Sequence, residues 1–120
     1  MRKESSSFVR IFYPKFDKEE LIQNLKPRIK NLAMELPLSK VVLFGSYAQG
    51  RYTVASDVDI LVVYRGKERR DSFAKVKKSL DIPLLEPHVY SEGEYDKLKD
   101  SIERMIAGGV VLFSGKGKCS

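Results

Sequence analysis

Apolar residues recur along the chain with two kinds of spacing, one typical of helices and the other typical of strands. Helical spacing of apolar residues occurs at 17–36, 68–80 and 91–105. Strand-like apolar segments occur at 8–13, 41–44, 57–64, 82–90 and 110–113. The sequence shows no internal repeat and no linker that would divide it. We therefore expect a single α/β (α+β) domain, with a mixed β-sheet flanked by helices.

The first helical segment carries signals for its start, its end and an interruption. Asp17, with Glu20 three residues later, forms a capping-box pattern, and Pro37 ends the segment. Its apolar positions are Leu21, Leu25, Ile29, Leu32 and Leu36. Pro27 lies in the middle, so it either kinks one helix or begins a second one.

A second capping-box pattern marks the start of the last helical segment. Ser91 and Glu94 form this pattern, and Gly108-Gly109 stops the segment. The apolar positions of the segment are Tyr95, Leu98, Ile102 and Met105. Their spacing places them on one face, so a single helix is expected here before the final strand.

Composition limits the size, the location and the partners of the protein. The chain has 120 residues, 42% of them hydrophobic, which is enough for one domain with a modest core. We expect a flexible arm at 1–7, the domain at 8–114 and a polar tail at 115–120. No apolar run suits a membrane span or a signal peptide, and Cys119 is the sole cysteine, so a cytoplasmic location is expected. The net charge of +6 could serve nucleotide phosphates, RNA or an acidic partner protein.

The strongest chemical signal is a Gly-Ser turn followed by two closely spaced aspartates. Gly45-Ser46 ends one apolar run, and Asp57-Val58-Asp59 begins the next. Asp57 and Asp59 would share one face of a strand, where like charges repel unless a cation such as Mg²⁺ lies between them. Gly45 permits a positive φ and the close approach of a phosphate, and Ser46 would begin a helix that favours an anion. These residues predict a site for a nucleoside triphosphate and a divalent metal, although an acidic strand end beside an ordinary turn is the alternative.

The combined motif resembles the signature of the DNA polymerase beta-like nucleotidyltransferases, and in particular of their minimal members, the MNT proteins. The resemblance rests on Gly45-Ser46-Tyr47-Ala48-Gln49-Gly50 and on Ser56-Asp57-Val58-Asp59-Ile60. It implies a single-domain nucleotidyltransferase fold in which two aspartates, Asp57 and Asp59, bind Mg²⁺. The residues expected to contact the nucleotide are Gly45, Ser46, Arg51 and Ser56. One departure is Gln49, which stands where many members have arginine, with Arg51 two residues further on.

In this family a third carboxylate on a neighbouring strand completes the metal site. Glu86 is the acid inside the next predicted strand, and we expect it to be the third metal ligand or the general base. Asp81 competes for this role, and a solvated edge position is the other interpretation of Glu86. Pro83 and Pro87 favour an edge position or irregular ends for this strand. His88, the sole histidine, is expected at the surface or in a hydrogen bond, with assistance to the carboxylates as the lesser alternative.

The resemblance also implies a reaction and a partner. MNT antitoxins transfer AMP from ATP onto a tyrosine of a HEPN ribonuclease toxin, so we expect ATP as substrate, two Mg²⁺ ions and a HEPN toxin as partner. Self-association is left open. The alternatives are a non-catalytic antitoxin that inhibits its partner by occlusion, and a transferase that acts on RNA or on a small molecule.

Overall fold

Helices and strands occupy most of residues 18–50 and 57–115, the parts of the chain that the computed structural model describes. The elements are α1 (Lys18–Glu35), β1 (Leu38–Phe44), α2 (Ser46–Gln49), β2 (Val58–Tyr64), α3 (Ser72–Leu80), β3 (Leu85–Ser91), α4 (Glu92–Lys97), α5 (Lys99–Met105) and β4 (Val110–Ser114). The predicted arm, the predicted strand at 8–13, the Asp17 cap and residues 116–120 of the tail lie outside the described residues. None of the helices in the described ranges is both long enough and apolar enough to cross a bilayer.

Four strands form one mixed sheet in the order β3-β2-β1-β4. Strand β1 is antiparallel to both of its neighbours, whereas β2 and β3 are parallel and are joined through α3. The predicted mixed sheet flanked by helices is therefore confirmed. Strand β3 lies at an edge of the described sheet, as its proline content predicts, and an edge strand tolerates the missing N–H of Pro87.

Hydrophobic cores cover both faces of the sheet. The larger core joins α1 and α3 to one face and contains Leu21, Leu25, Ile29, Leu32, Leu36, Val41, Leu43, Val58, Ile60, Val62, Val76 and Leu80. The smaller core, on the opposite face, contains Val42, Phe44, Leu61, Val63 and Ile102. Because side chains alternate along a strand, Asp59 lies on the face of the smaller core. The sheet thus buries Val58, Ile60 and Val62 on one side while it directs Asp59 to the other, as the sequence predicts.

Pro27 lies inside a continuous helix. α1 runs from Lys18 to Glu35 without a break, so the proline does not begin a second helix. The leucines and the isoleucine predicted to face the core are all buried. Helix α1 therefore forms the expected apolar face against the sheet.

The single helix predicted after Ser91 is wrong, because the segment forms two short helices. Leu98 leaves the helical conformation at φ −108° and ψ 17°, and its N–H donates to the carbonyl oxygens of both Glu94 and Tyr95. This tight turn ends α4, and α5 begins immediately afterwards. Ile102 is buried, but Leu98 is 47% exposed and Met105 is 36% exposed, so the predicted apolar face is divided.

Strand β3 begins three residues later than predicted. Asp81 and Leu84 both adopt positive φ, at 42° and 62°, which a continuous strand cannot accommodate. Asp81 is the C-cap of α3, so this acid belongs to the end of a helix. Strand β3 therefore starts at Leu85, and Glu86 is its second residue.

Candidate functional site

A row of three side chains crosses one end of the sheet on the face of the smaller core. Phe44, the last residue of β1, pairs with Asp59 of β2, and Asp59 pairs in turn with Glu86 of β3. Residues in register on adjacent strands share a face, so the two carboxylates are neighbours. Asp57 is exposed just before β2, whereas Asp81 lies outside the row. The structure thus brings Glu86, rather than Asp81, next to the aspartates.

Gly45 makes room for the Asp59 carboxylate. Its backbone adopts φ 80° and ψ −152°, a conformation that in practice only glycine occupies, and a Cβ atom here would collide with Asp59 Oδ2. Ser46 then begins the one-turn helix α2. Lys18 Nζ donates to the carbonyl oxygen of Ala48 at 2.9 Å, which ties the start of α1 to this turn. Gly45 adopts the positive φ that glycine permits, and the group that approaches its backbone in the structure is a carboxylate.

The environment of Asp59 disfavours its negative charge. Partial burial raises the pKa of the Asp59 carboxyl above its ordinary value, and the charges of Asp57 and Glu86 raise it further. The imidazole of His88 lowers the same pKa, but not by enough to reverse the rise. The site therefore holds negative charge that the described protein groups do not fully compensate, and a bound cation would compensate it.

His88 is the site residue that sequence reasoning underestimated. Its Nε2 atom lies 3.6 Å from Asp59 Oδ1, beyond hydrogen-bonding distance, and its ring packs on Phe44 with 5.1 Å between ring centroids. Nε2 is buried and finds no hydrogen-bond partner among the described residues. The available signal was the position of His88 two residues after Glu86, which places both side chains on one face of β3.

The donor atoms at this end of the sheet suit a divalent cation that a nucleotide helps to bind. In residues 18–50 and 57–115, no three carboxylate, histidine or cysteine side chains already converge on one point as a complete metal site. Mg²⁺, however, usually binds one or two protein carboxylates together with substrate phosphates. Asp57 and Asp59, with Glu86 adjacent, fit that mode of binding. Arg51 and Ser56, which the sequence predicts to contact the nucleotide, lie outside the described residues.

A separate cleft of about 400 Å³ lies at the opposite end of the same sheet face. Its lining includes Lys40 of β1, Val63 of β2 and Tyr95 of α4, but none of the three site carboxylates. The Tyr95 hydroxyl donates to Glu103 Oε2 at 3.2 Å, and burial together with this carboxylate raises the pKa of Tyr95. The cleft is therefore distinct from the carboxylate row.

Sequence comparison connects the chain to nucleotidyltransferases. The family model described as "Nucleotidyltransferase domain" matches residues 22–112. A protein of Methanocaldococcus jannaschii, provisionally named a protein adenylyltransferase, is 31% identical over 91 residues, which cover 70% of this chain and 90% of that protein. A second protein of the same organism and provisional name is 62% identical over 26 residues, which cover 22% of this chain and 26% of that protein.

Solved structures share the fold at low sequence identity. A provisionally assigned nucleotidyltransferase from Sulfolobus solfataricus aligns with a TM-score of 0.56 and 23% identity, over 95% of this chain and 92% of that chain. A toxin–antitoxin structure with AMP-PNP aligns with a TM-score of 0.54 and 20% identity, over 78% of this chain and 76% of that chain. A mutant of the toxin–antitoxin pair MntA–HpeT aligns with a TM-score of 0.50 and 17% identity, with the same coverage. The match of the family model over most of the chain, on a fold that these structures share, shows that the chain belongs to the nucleotidyltransferase domain family and is a nucleotidyltransferase.

Proposed function

We propose that this nucleotidyltransferase transfers AMP from ATP, in a Mg²⁺-dependent reaction, to a hydroxyl group of another protein. The observation that carries the proposal is the row of Asp59 and Glu86, with Asp57 beside it and Gly45 fitted against Asp59. The naming of the Methanocaldococcus jannaschii relative as a protein adenylyltransferase supports a protein acceptor. The AMP-PNP in one structural neighbour supports an adenine nucleotide as the donor.

The acceptor that we propose is a tyrosine of a HEPN-domain toxin, so that the chain acts as its antitoxin. Two structural neighbours are toxin–antitoxin assemblies, which supports a toxin as the partner. The resemblance of the Gly-Ser turn and the Asp-Val-Asp segment to MNT proteins supports the HEPN identity and the tyrosine target. Transfer would silence the toxin through a covalent modification.

In the proposed mechanism, Asp57 and Asp59 hold the divalent cations, with Glu86 as the third carboxylate. Gly45 and Ser46 lie at the turn where the triphosphate would approach the protein backbone. The chemistry that two Mg²⁺ ions would supply there is positive charge beside the triphosphate and beside the attacking hydroxyl. The raised pKa of Asp59 is consistent with a carboxylate arranged to face a cation.

Glu86 is the candidate for the proton acceptor. It is exposed and lies in register beside Asp59, so it can reach a hydroxyl that enters from solvent. As this hydroxyl oxygen bonds to the α-phosphorus of ATP, the bond between that phosphorus and the pyrophosphate oxygen breaks. Pyrophosphate leaves, and Glu86 takes the hydroxyl proton. Orientation and electrostatic stabilisation provide most of the rate enhancement in such a reaction.

The first test replaces each aspartate by asparagine. The chain is incubated with labelled ATP, Mg²⁺ and a candidate HEPN partner, and the intact masses of both proteins are measured. With the wild type, we expect the partner to gain the mass of one or more AMP groups. Asp57→Asn and Asp59→Asn should each reduce the rate of AMP transfer by at least about 100-fold. Asp100→Asn, an exposed position in α5, is the matched control and should retain the wild-type rate.

Three outcomes would contradict the proposal in whole or in part. Full transfer by both aspartate variants would show that the reaction does not use this site. A partner that is inhibited in a stoichiometric complex without any gain of mass would favour the occluding antitoxin. Label transferred to RNA or to a small molecule instead would keep the enzyme class and reject the protein acceptor.

A further inference from the structure

An unsatisfied imidazole nitrogen faces the Asp59 carboxylate. His88 Nε2 is buried, lies 3.6 Å from Asp59 Oδ1 and has no hydrogen-bond partner within residues 18–50 and 57–115. Buried polar atoms are rarely left without a partner, because the loss of hydration then goes uncompensated. A group that binds both the nitrogen and the carboxylate oxygen would remove this cost.

The spacing of the two atoms suits a shared metal ion. Nitrogen and oxygen ligands bind divalent cations at about 2.0–2.2 Å, so two adjacent ligands of one ion lie about 3.0–3.5 Å apart. The observed separation of 3.6 Å needs an adjustment of only a few tenths of an ångström. Packing against Phe44, together with its place in β3, holds the His88 ring at this position.

We propose that His88 Nε2 is a direct ligand of the cation held by Asp59. This inference rests on the metal-dependent function proposed above and goes beyond it, because it changes which cation the site prefers. An imidazole ligand favours Co²⁺, Ni²⁺ and Zn²⁺, whereas carboxylate and water ligands alone suit Mg²⁺. The remaining ligands come from Asp57, the triphosphate and water. The site therefore binds transition-metal cations more tightly than its carboxylates alone would.

The direct test is a spectroscopic search for a metal–nitrogen bond. Pulsed electron paramagnetic resonance detects nitrogen bound to Mn²⁺, and His88 is the only histidine of the chain. We use the untagged, ¹⁵N-labelled full chain with Mn²⁺ and no nucleotide, so that an imidazole signal has a single source. The ¹⁵N coupling should appear in the wild type and in Cys119→Ser, and should be absent in His88→Phe and Asp59→Asn.

His88→Phe is chosen because it keeps an aromatic ring against Phe44 while it removes the nitrogen. Its circular dichroism spectrum should match that of the wild type, which separates loss of the ligand from loss of the fold. A wild-type chain that binds Mn²⁺ without nitrogen coupling, or that fails to bind Mn²⁺, overturns the proposal. A coupling that persists in His88→Phe overturns it as well.

A second readout compares the affinities for Co²⁺ and Mg²⁺ by calorimetry. His88→Phe should weaken Co²⁺ binding by about 10- to 100-fold, the usual effect of losing a group that binds or orients a metal. Its affinity for Mg²⁺ should change by less than about 3-fold, because Mg²⁺ prefers oxygen ligands. Phe44→Leu removes the ring contact that helps to hold the imidazole but keeps its nitrogen, so it should weaken Co²⁺ binding by less than His88→Phe does.

If His88→Phe lost the same factor of affinity for Co²⁺ and for Mg²⁺, His88 would only position Asp59, and the proposal that it binds the metal directly would be rejected. These measurements require neither ATP nor an acceptor protein. If AMP transfer to a HEPN partner fails while the nitrogen coupling and the cation preference are present, the proposed acceptor is wrong and the His88 assignment stands.

Discussion

At the scale of single residues, the site depends on the absence of one side chain. Gly45 combines a φ of 80° with direct contact to Asp59, so its replacement has two separate costs. Gly108 has nearly the same φ, 82°, but apart from its chain neighbours no atom of the described residues lies within 4 Å of the position that its Cβ would take. The two glycines therefore allow backbone strain to be separated from displacement of the carboxylate.

We predict that Gly45→Ala destabilises the fold by about 2–4 kcal/mol, since strain at the positive φ and a collision with Asp59 add together. Gly108→Ala should cost only about 1–2 kcal/mol, from the left-handed backbone alone. Gly45→Ala should also slow transfer on the order of 100-fold, because a carboxylate displaced by about 1 Å no longer positions the reactants. Urea denaturation and transfer assays measure both effects. Equal behaviour of the two variants would argue against the contact with Asp59.

At the scale of secondary-structure elements, a capping box connects β3 to α4. Ser91 ends β3 and is also the N-cap of α4. Its Oγ accepts a hydrogen bond from the Glu94 N–H at 3.2 Å, while Glu94 Oε1 accepts one from the Ser91 N–H at 2.9 Å. This capping box could be predicted from the sequence, because its hydrogen bonds join residues only three apart.

We predict that Ser91→Ala lowers the free energy of unfolding by about 1 kcal/mol, the usual cost of removing a serine N-cap. Ser101→Ala, at an exposed position in α5, is the control and should change the stability by less than about 0.5 kcal/mol. Denaturant midpoints measured side by side provide the comparison. If Ser91→Ala were as stable as the control, the capping box would contribute nothing to the stability of the fold.

The other elements show where sequence reasoning reaches its limit. The apolar face of α1 follows from a helical period that persists across Pro27. The break at Leu98 has no such local signal, because that residue continues the apolar period while its backbone turns. The proximity of His88 to Asp59 depends on the parallel register of β2 and β3, which joins strands separated by a helix. Composition and spacing place His88 on the same face as Glu86 but do not determine that register, so the distance between His88 and Asp59 is known only from the folded structure.

At the scale of the whole molecule, the site reduces the stability of the domain that carries it. The raised pKa of Asp59 means that the folded state binds this proton more tightly than the unfolded state does. Stability therefore falls as the pH rises from 3.8, the ordinary value for this carboxyl, through the raised pKa of the folded protein. At pH values above the raised pKa, the loss of stability caused by the ionised carboxylate is complete, and a cation bound at the site should reverse this loss.

We predict that Asp59→Asn, although inactive, has a higher free energy of unfolding than the wild type at pH 7 in buffer with EDTA, because it lacks the disfavoured charge. The gain should be only a few tenths to about 1 kcal/mol, because solvent screens a partly exposed charge. Denaturation curves at several pH values should show this advantage shrinking as the pH falls through the window. Mg²⁺ with a non-hydrolysable ATP analogue should stabilise the wild type but leave Asp59→Asn unchanged. Asp100→Asn should follow the wild type throughout. An Asp59→Asn chain that is less stable at pH 7 without metal would mean that the carboxylate stabilises the fold, and that the site is not arranged to hold a cation.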